Sequence, residues 1–188
     1  MKRVNRILNH VLFRECLRQI EEAERERIYC GHDMGHFLDT ARLAWIANLE
    51  KGLVLNKETV YAAALLHDIG RAKQYVCGTP HDAASVELIR RIMPECGFSP
   101  DETEEVAAAV EGHSQSRRTA VPGTGSQSRR TAVAEEHNRD NGIGKEEVRK
   151  YLGNILREAD HASRNCFDCD VRESCNWTDD RKNLELQG

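Results

Sequence analysis

The sequence predicts an all-α fold, and three observations carry that prediction. Apolar residues recur at the three-and-four spacing of a helix face along most of the chain. Capping patterns mark several helix starts. No segment shows the apolar–polar alternation of a half-buried strand. Val4, Ile7, Leu8, Val11, Leu12, Cys16, Leu17 and Ile20 trace one face of a first helical segment. A second helix follows Gly35 and turns Phe37, Leu38, Ala41, Trp45 and Leu49 inward. A third starts at Asn56, a good cap, and runs through Val60, Ala63 and Ala64 to His67. A fourth spans Pro80 to Met93 and stops at Pro94 and Gly97. Ser99-Pro100-Asp101-Glu102 joins an N-cap, a first-turn proline and a capping-box glutamate, and so opens a fifth. The last, Lys145 to Ser163, aligns Val148, Tyr151, Leu152, Ile155, Leu156 and Ala159.

Bulk properties narrow the function classes. A chain of 188 residues supports a single core without help from disulfides. The net charge of −4 gives no basic surplus for a phosphate backbone, so nucleic acid is not expected as an obligate partner. No apolar run approaches the roughly 20 residues of a membrane span. The opening stretch, MKRVNRILNHVLFRECLRQIEEAERER, reads as an amphipathic helix and not a signal peptide. Seven cysteines, an odd number, with no secretory signal, point to a reducing, cytoplasmic compartment, where clustered thiols are weighed as metal ligands before disulfides. The expected layout is a helical domain over residues 1–164 and a cysteine-bearing tail over 165–188. Within the domain, a polar loop at 114–143 repeats SQSRRTAV at Ser114–Val121 and Ser126–Val133. Two such units are too short to stack as a solenoid, and a lengthened loop costs little stability. A substrate clamp formed by Arg117, Arg118, Arg129 and Arg130 is the alternative reading of the repeat.

Chemistry concentrates in five places: His36 in GHDMGHFLDTARLA, His67-Asp68 in AALLHDIGR, His81 in TPHDAAS, His113 in VEGHSQ and Asp160 in ILREADHASR. His67 lies on the apolar stripe of Val60, Ala63 and Ala64, and Asp160 lies one turn after Leu156 on its helix's inward edge. A carboxylate aimed into a core must be paired or coordinated, because an isolated buried charge is too costly. Adjacent His67 and Asp68 offer a nitrogen and an oxygen from one rigid segment. Imidazole with carboxylate suits iron, manganese, zinc or nickel. His10, His32, His137 and His161 fit no such pattern and read as surface histidines.

In this order, a His, then His-Asp, then a distal Asp, all on helices, these residues resemble the HD-domain phosphohydrolase superfamily. LLHDIGR matches its central motif, and the resemblance covers roughly Cys30 to Arg164. The resemblance implies that His36, His67, Asp68 and Asp160 bind a first divalent metal, iron or manganese by preference. His81 and His113 would serve a second, with Asp68 bridging, as in the subgroup similar to symmetrical dinucleoside tetraphosphate hydrolases and, more distantly, cyclic-dinucleotide phosphodiesterases. The lengthened loop after His113 departs from that pattern. The implied activity is hydrolysis of a phosphate ester or anhydride, a nucleotide for preference. Two cations would turn a bridging water into hydroxide for in-line attack on phosphorus. Arg71, then Lys73, then Arg164 are the candidates to meet phosphoryl oxygens. Two rival readings are a non-catalytic nucleotide or redox sensor on the same fold, and an iron-dependent oxygenase with a similar site.

Cys166-x2-Cys169-x5-Cys175 is the other informative motif, since two thiolates two residues apart are a common bite for zinc or an iron–sulfur cluster. Cys30 precedes His36 by six residues and Cys166 follows Asp160 by six. If those two ligands meet, both cysteines start within about 10 Å of the metal, which makes Cys30 a candidate fourth ligand. The bland alternative is a loop of reduced thiols packed around Phe167 and Trp177. Cys16, Cys77 and Cys96 read as small core or surface residues.

Overall fold

The computed structural model describes residues 1–118 and 144–186, with side chains throughout except at 113–118. Eight α-helices and two short 3₁₀ turns are found among the described residues, and no strand. The α-helices are α1 (Lys2–Asn9), α2 (Val11–Ala23), α3 (Met34–Glu50), α4 (Lys57–Leu66), α5 (Arg71–Cys77), α6 (His81–Glu95), α7 (Pro100–Arg118) and α8 (Lys145–Ala162). Among the described residues, no helix is long and apolar enough to cross a membrane.

Helix α4 is the axis of the fold. Seven of its residues, Thr59, Val60 and Ala62 through Leu66, are buried, so it is apolar nearly all round, as a helix enclosed by others must be. It packs against α1, α3, α6, α7 and α8, while the most extensive pairs are α7 with α8, α3 with α4, α6 with α7, and α3 with α8. Alanines at 62, 63 and 64 keep these neighbours close. Phe13, Ile20, Phe37, Leu65, Ile69, Ile89 and Leu152 fill the space between.

Local chemistry sets the helix boundaries. Asn56 caps α4, its Oδ1 accepting from the Glu58 and Thr59 amides. At α7 the capping box closes both ways: Ser99 Oγ accepts from the Glu102 amide at 3.2 Å and Glu102 Oε2 accepts from the Ser99 amide at 2.9 Å. The first segment is two helices, not one. His10 is extended, with φ −70° and ψ 133°, and its Nδ1 accepts from the Leu12 amide, so it ends α1 and caps α2. The break rotates the apolar face, leaving Val11 79% exposed. Leu49, expected inward, is also exposed, near the end of α3. Helix α6 runs two residues past its expected end, through Pro94, and the seven-residue α5 was not foreseen.

Candidate metal centre

The site grows from the ends of helices. Asp33 caps α3 by accepting from the His36 amide at 2.8 Å, which places His36 in the first turn. The His36 Nδ1 then meets Ser163 Oγ at 3.0 Å, and Ser163 donates its own hydroxyl proton to the Asp160 carbonyl at 2.8 Å. With that proton committed, the serine oxygen can only accept, so His36 carries its proton on Nδ1. Its Nε2 points inward, 3.4 Å from Asp160 Oδ1. His67 ends α4 and is oriented the same way: Nδ1 donates to the Ala64 carbonyl at 2.7 Å, and Nε2 faces Asp160 Oδ1 and Asp68 Oδ2, each at 3.6 Å. Donor atoms of His36, His67 and Asp160 all lie within 4.8 Å of one another. Asp160, in the last turn of α8, is 2% exposed, so the carboxylate does turn into the core.

Asp68 forms a second focus. Arg71 Nε donates to its Oδ2 at 2.8 Å, and His32 Nε2 approaches the same oxygen at 3.4 Å. His81 Nε2 lies 3.4 Å from its Oδ1. Gly70 explains how His81 comes so near. A Cβ there would meet the His81 carbonyl at 2.2 Å and the Ser85 amide at 2.4 Å, while the Gly70 amide donates to Ser85 Oγ at 2.9 Å. Only glycine lets the start of α6 dock on the turn that carries His67 and Asp68.

Burial and charge oppose each other here. Burial alone would raise the Asp68 carboxyl, but positive charge on His67, Arg71 and His32 holds it well below the usual carboxylate range. Burial pushes His36 down to about 4, so it is neutral at physiological pH, as a metal-ligating imidazole must be. His67 goes up instead: burial opposes its charge, but the carboxylates of Asp68 and Asp160 outweigh it.

His32 corrects the expectation of a surface histidine. It is 4% exposed, and its Nδ1 meets Glu24 Oε1 at 2.6 Å while its amide donates to Glu24 Oε2 at 2.7 Å. Tyr75 donates to the same carboxylate. Burial would raise Glu24, yet its bonds to His32 and Tyr75 hold it at about 2. His10 and His161, also read as surface residues, have structural contacts: His10 pairs with Glu95, and His161 stacks on Trp177 with ring centroids 5.6 Å apart. Lys73 does not turn toward the site. Its ammonium pairs with Glu87 at 2.6 Å on the outer surface. Arg164 does reach the site, donating to His36 Nε2 at 3.1 Å and lying 3.5 Å from Asp160 Oδ1. His113 is on α7, but its side chain is outside the described residues, as are His137 and the arginines of the SQSRRTAV repeat.

A cavity of about 380 Å³ opens beside this centre, lined by His32, Arg71, Asp160 and Arg164 together with Cys30 and the tail cysteines.

A helical bundle with these histidines and aspartates in this order has a clear place among known families. Residues 33–165 match the HD domain model. The chain belongs to the HD domain family and is a metal-dependent phosphohydrolase of that type. An uncharacterized protein of Clostridium beijerinckii is 31% identical over 186 residues, covering 99% of both chains. Bifunctional uridylyltransferase/uridylyl-removing enzymes are also similar over short stretches: that of Bradyrhizobium diazoefficiens is 36% identical over 58 residues, 31% of this chain and 6% of its own. That of Rhodospirillum rubrum is 37% identical over 67 residues, 36% of this chain and 7% of its own. This chain thus matches only a small fraction of those enzymes. The crystal structure of a predicted HD superfamily hydrolase from an uncultured Thermotogales bacterium shares the fold, with a TM-score of 0.53, 20% identity and coverage of 91% of this chain and 81% of that one.

Proposed function

We propose that this hydrolase acts on a small nucleotide, cleaving a phosphate ester or anhydride, with His36, His67 and Asp160 holding one divalent metal. Asp68 lies between that trio and a second position flanked by His32 and His81. The observation that carries the reading is the orientation of the donors. Ser163 and the Ala64 carbonyl hold the Nδ1 atoms of His36 and His67, which turns both Nε2 atoms toward Asp160. Such outer partners keep a ligating imidazole in one tautomer and one orientation. The buried donors converge where a cation belongs, and the guanidinium of Arg164 already contacts two of them. Nitrogen mixed with carboxylate oxygen favours iron or manganese over magnesium or calcium. Bound metal supplies Lewis acidity and lowers the pKa of water at the site.

The protein's own groups do the rest. Arg71 and Arg164 border the cavity and offer planar donor forks to phosphoryl oxygens. Arg71 is held by Asp68, so its free N–H groups are presented in a fixed direction. Burial of Asp68 and Asp160 keeps bulk water away from the carboxylates and strengthens their hold on positive charge. The cavity volume suits a ligand of mononucleotide size or a nucleotide portion of a larger one. The uridylyl-removing enzymes, named for release of a nucleotidyl group, favour the same substrate class. Seven thiols, none in a disulfide, suit a reducing cytoplasmic setting.

The test is a nucleotide panel on protein purified without oxygen and loaded in turn with iron, manganese, zinc and magnesium. Release of phosphate or a mononucleotide, greatest with iron or manganese, is the expected result. Oxygen consumption without phosphorus-containing product would replace this reading with an oxygenase.

A further inference from the structure

We infer that Cys30, Cys166, Cys169 and Cys175 ligate an iron–sulfur cluster of the four-iron type, set against the cavity beside the His/Asp centre. All four cysteines line that one cavity, although Cys30 is more than a hundred residues from the others in sequence. Cys166 opens a 3₁₀ turn, with three residues between it and the end of α8, and Cys169 closes it with its amide on the Cys166 carbonyl at 3.4 Å. Cys175 closes a second such turn.

The backbone around Cys30 is tied to the tail on both sides of the thiols. Arg164 donates to the Gly31 carbonyl at 2.7 Å, and Tyr29 donates to the Ser174 carbonyl at 3.0 Å. These bonds fix the residues on either side of Cys30 to the residues just before Cys166 and Cys175. The tail has almost no core of its own: among its described residues, 163–186, only Cys166 and Asn183 are buried. Its order comes from those bonds, from Asn183 on the His161 and Arg164 carbonyls, and from Trp177 between His161 and Arg181.

Spacing and charge choose between a single ion and a cluster. Tetrahedral zinc at about 2.3 Å from each thiolate requires sulfurs about 3.8 Å apart. Among the described residues the donor set gathered within 4.8 Å is His36, His67 and Asp160, and no three of the four sulfurs come that close together. A cubane carries its irons at separate corners and takes four thiolates at wider spacing. Such a cluster with four thiolates is an anion, and Arg27, Arg164, Arg172 and Lys182 line the same cavity.

The cluster is independent of the phosphohydrolase reading, and the experiment keeps the two apart. The full chain is purified without oxygen, then treated with ferrous iron and sulfide, and its iron and acid-labile sulfide are measured with its visible absorption. The expected result is about four sulfides per chain and a broad visible band that dithionite bleaches. In the C166S/C169S double variant both fall to background. In D68A, which alters only the His/Asp centre, both persist. The wild-type measurement stands even if the double variant fails to fold. Zinc at one equivalent without sulfide, or thiols that take up neither, would overturn the proposal.

Discussion

The His/Asp centre and the cysteine tail share a cavity but are held by opposite means. Around His36, His67 and Asp160 the scaffold is already complete: three packed helices, an Asp33 cap, and hydrogen bonds that settle each imidazole before any metal arrives. Among its described residues the tail has two single-turn 3₁₀ elements and two buried residues. Packing of α3, α4 and α8 prepares the first site, so its ligand is needed for chemistry and not for folding. In the tail, the proposed cluster would add order to what a few hydrogen bonds and the Trp177 stack supply, as metals do in small metal-stabilised domains. Metal removal therefore separates the two. Chelation should leave the helical signal intact while the tail becomes protease-sensitive.

The largest effect expected at the prepared site comes from Asp68→Ala. Asp68 stands between the His67 side of the centre and the His32 and His81 side, and it positions Arg71. Phosphate release should fall by at least about 10²–10³-fold, because positioned charge at the reacting group is lost. Far-ultraviolet circular dichroism should be unchanged. Near wild-type turnover at matched metal loading would remove Asp68 from the mechanism.

Gly70→Ala tests whether that site is truly prepared by packing. The added methyl would collide with backbone at His81 and Ser85, at 2.2 and 2.4 Å, and backbone cannot yield as a side-chain tip can. Destabilisation of about 2–3 kcal/mol is expected, seen as a lower denaturation midpoint, with loss of activity from displacement of His81. An unchanged midpoint would mean that α6 docks more loosely than the geometry implies.

What was legible in the sequence follows the same division. Asn56 and the Ser99–Glu102 box announce their helices because a cap is a local bond between neighbours in sequence. The burial of Asp160 and His67 was legible because each lies on the apolar edge of its helix. The break at His10 was not, since no proline or glycine marks it and the histidine itself supplies the cap. His32 was missed for a different reason. Four residues before His36, it looks like a helical neighbour, but α3 begins only at Met34, and its burial is set by Glu24 at the end of α2. Long-range partners leave no period in the sequence. Seven-residue α5 is too short to show one. Lys73 fails as a phosphate partner because, two residues on from Arg71, it points to the outer surface and Glu87.

A smaller effect is expected from Ser163→Ala. The serine touches no proposed metal position, yet it holds the Nδ1 proton of His36. Metal affinity at the His/Asp centre should weaken by about 10–100-fold with the fold intact, the usual cost of losing an outer partner. Isothermal titration with manganese measures it. Affinity equal to wild type would show that α3 alone orients His36.

The smallest effect concerns Glu24, and acid reveals it. Glu24 sits beneath His32 and joins the end of α2 to the loop that precedes α3. Its folded pKa of about 2 is below its ordinary value of 4.5, so the folded state binds fewer protons there than the unfolded chain does. The sign is then determined: the stabilisation is fully present above about pH 5 and is lost as pH falls through the interval from 4.5 toward 2. Glu24→Gln keeps the shape but removes the charge, so it should cost on the order of 1–2 kcal/mol at neutral pH. That deficit should shrink as the wild type is acidified, because protonation makes the two proteins alike. Denaturation midpoints for both proteins at pH 7, 5 and 3 would show the curves converging. Parallel curves would mean that Glu24 contributes by shape alone and that His32 is held by the packing around it.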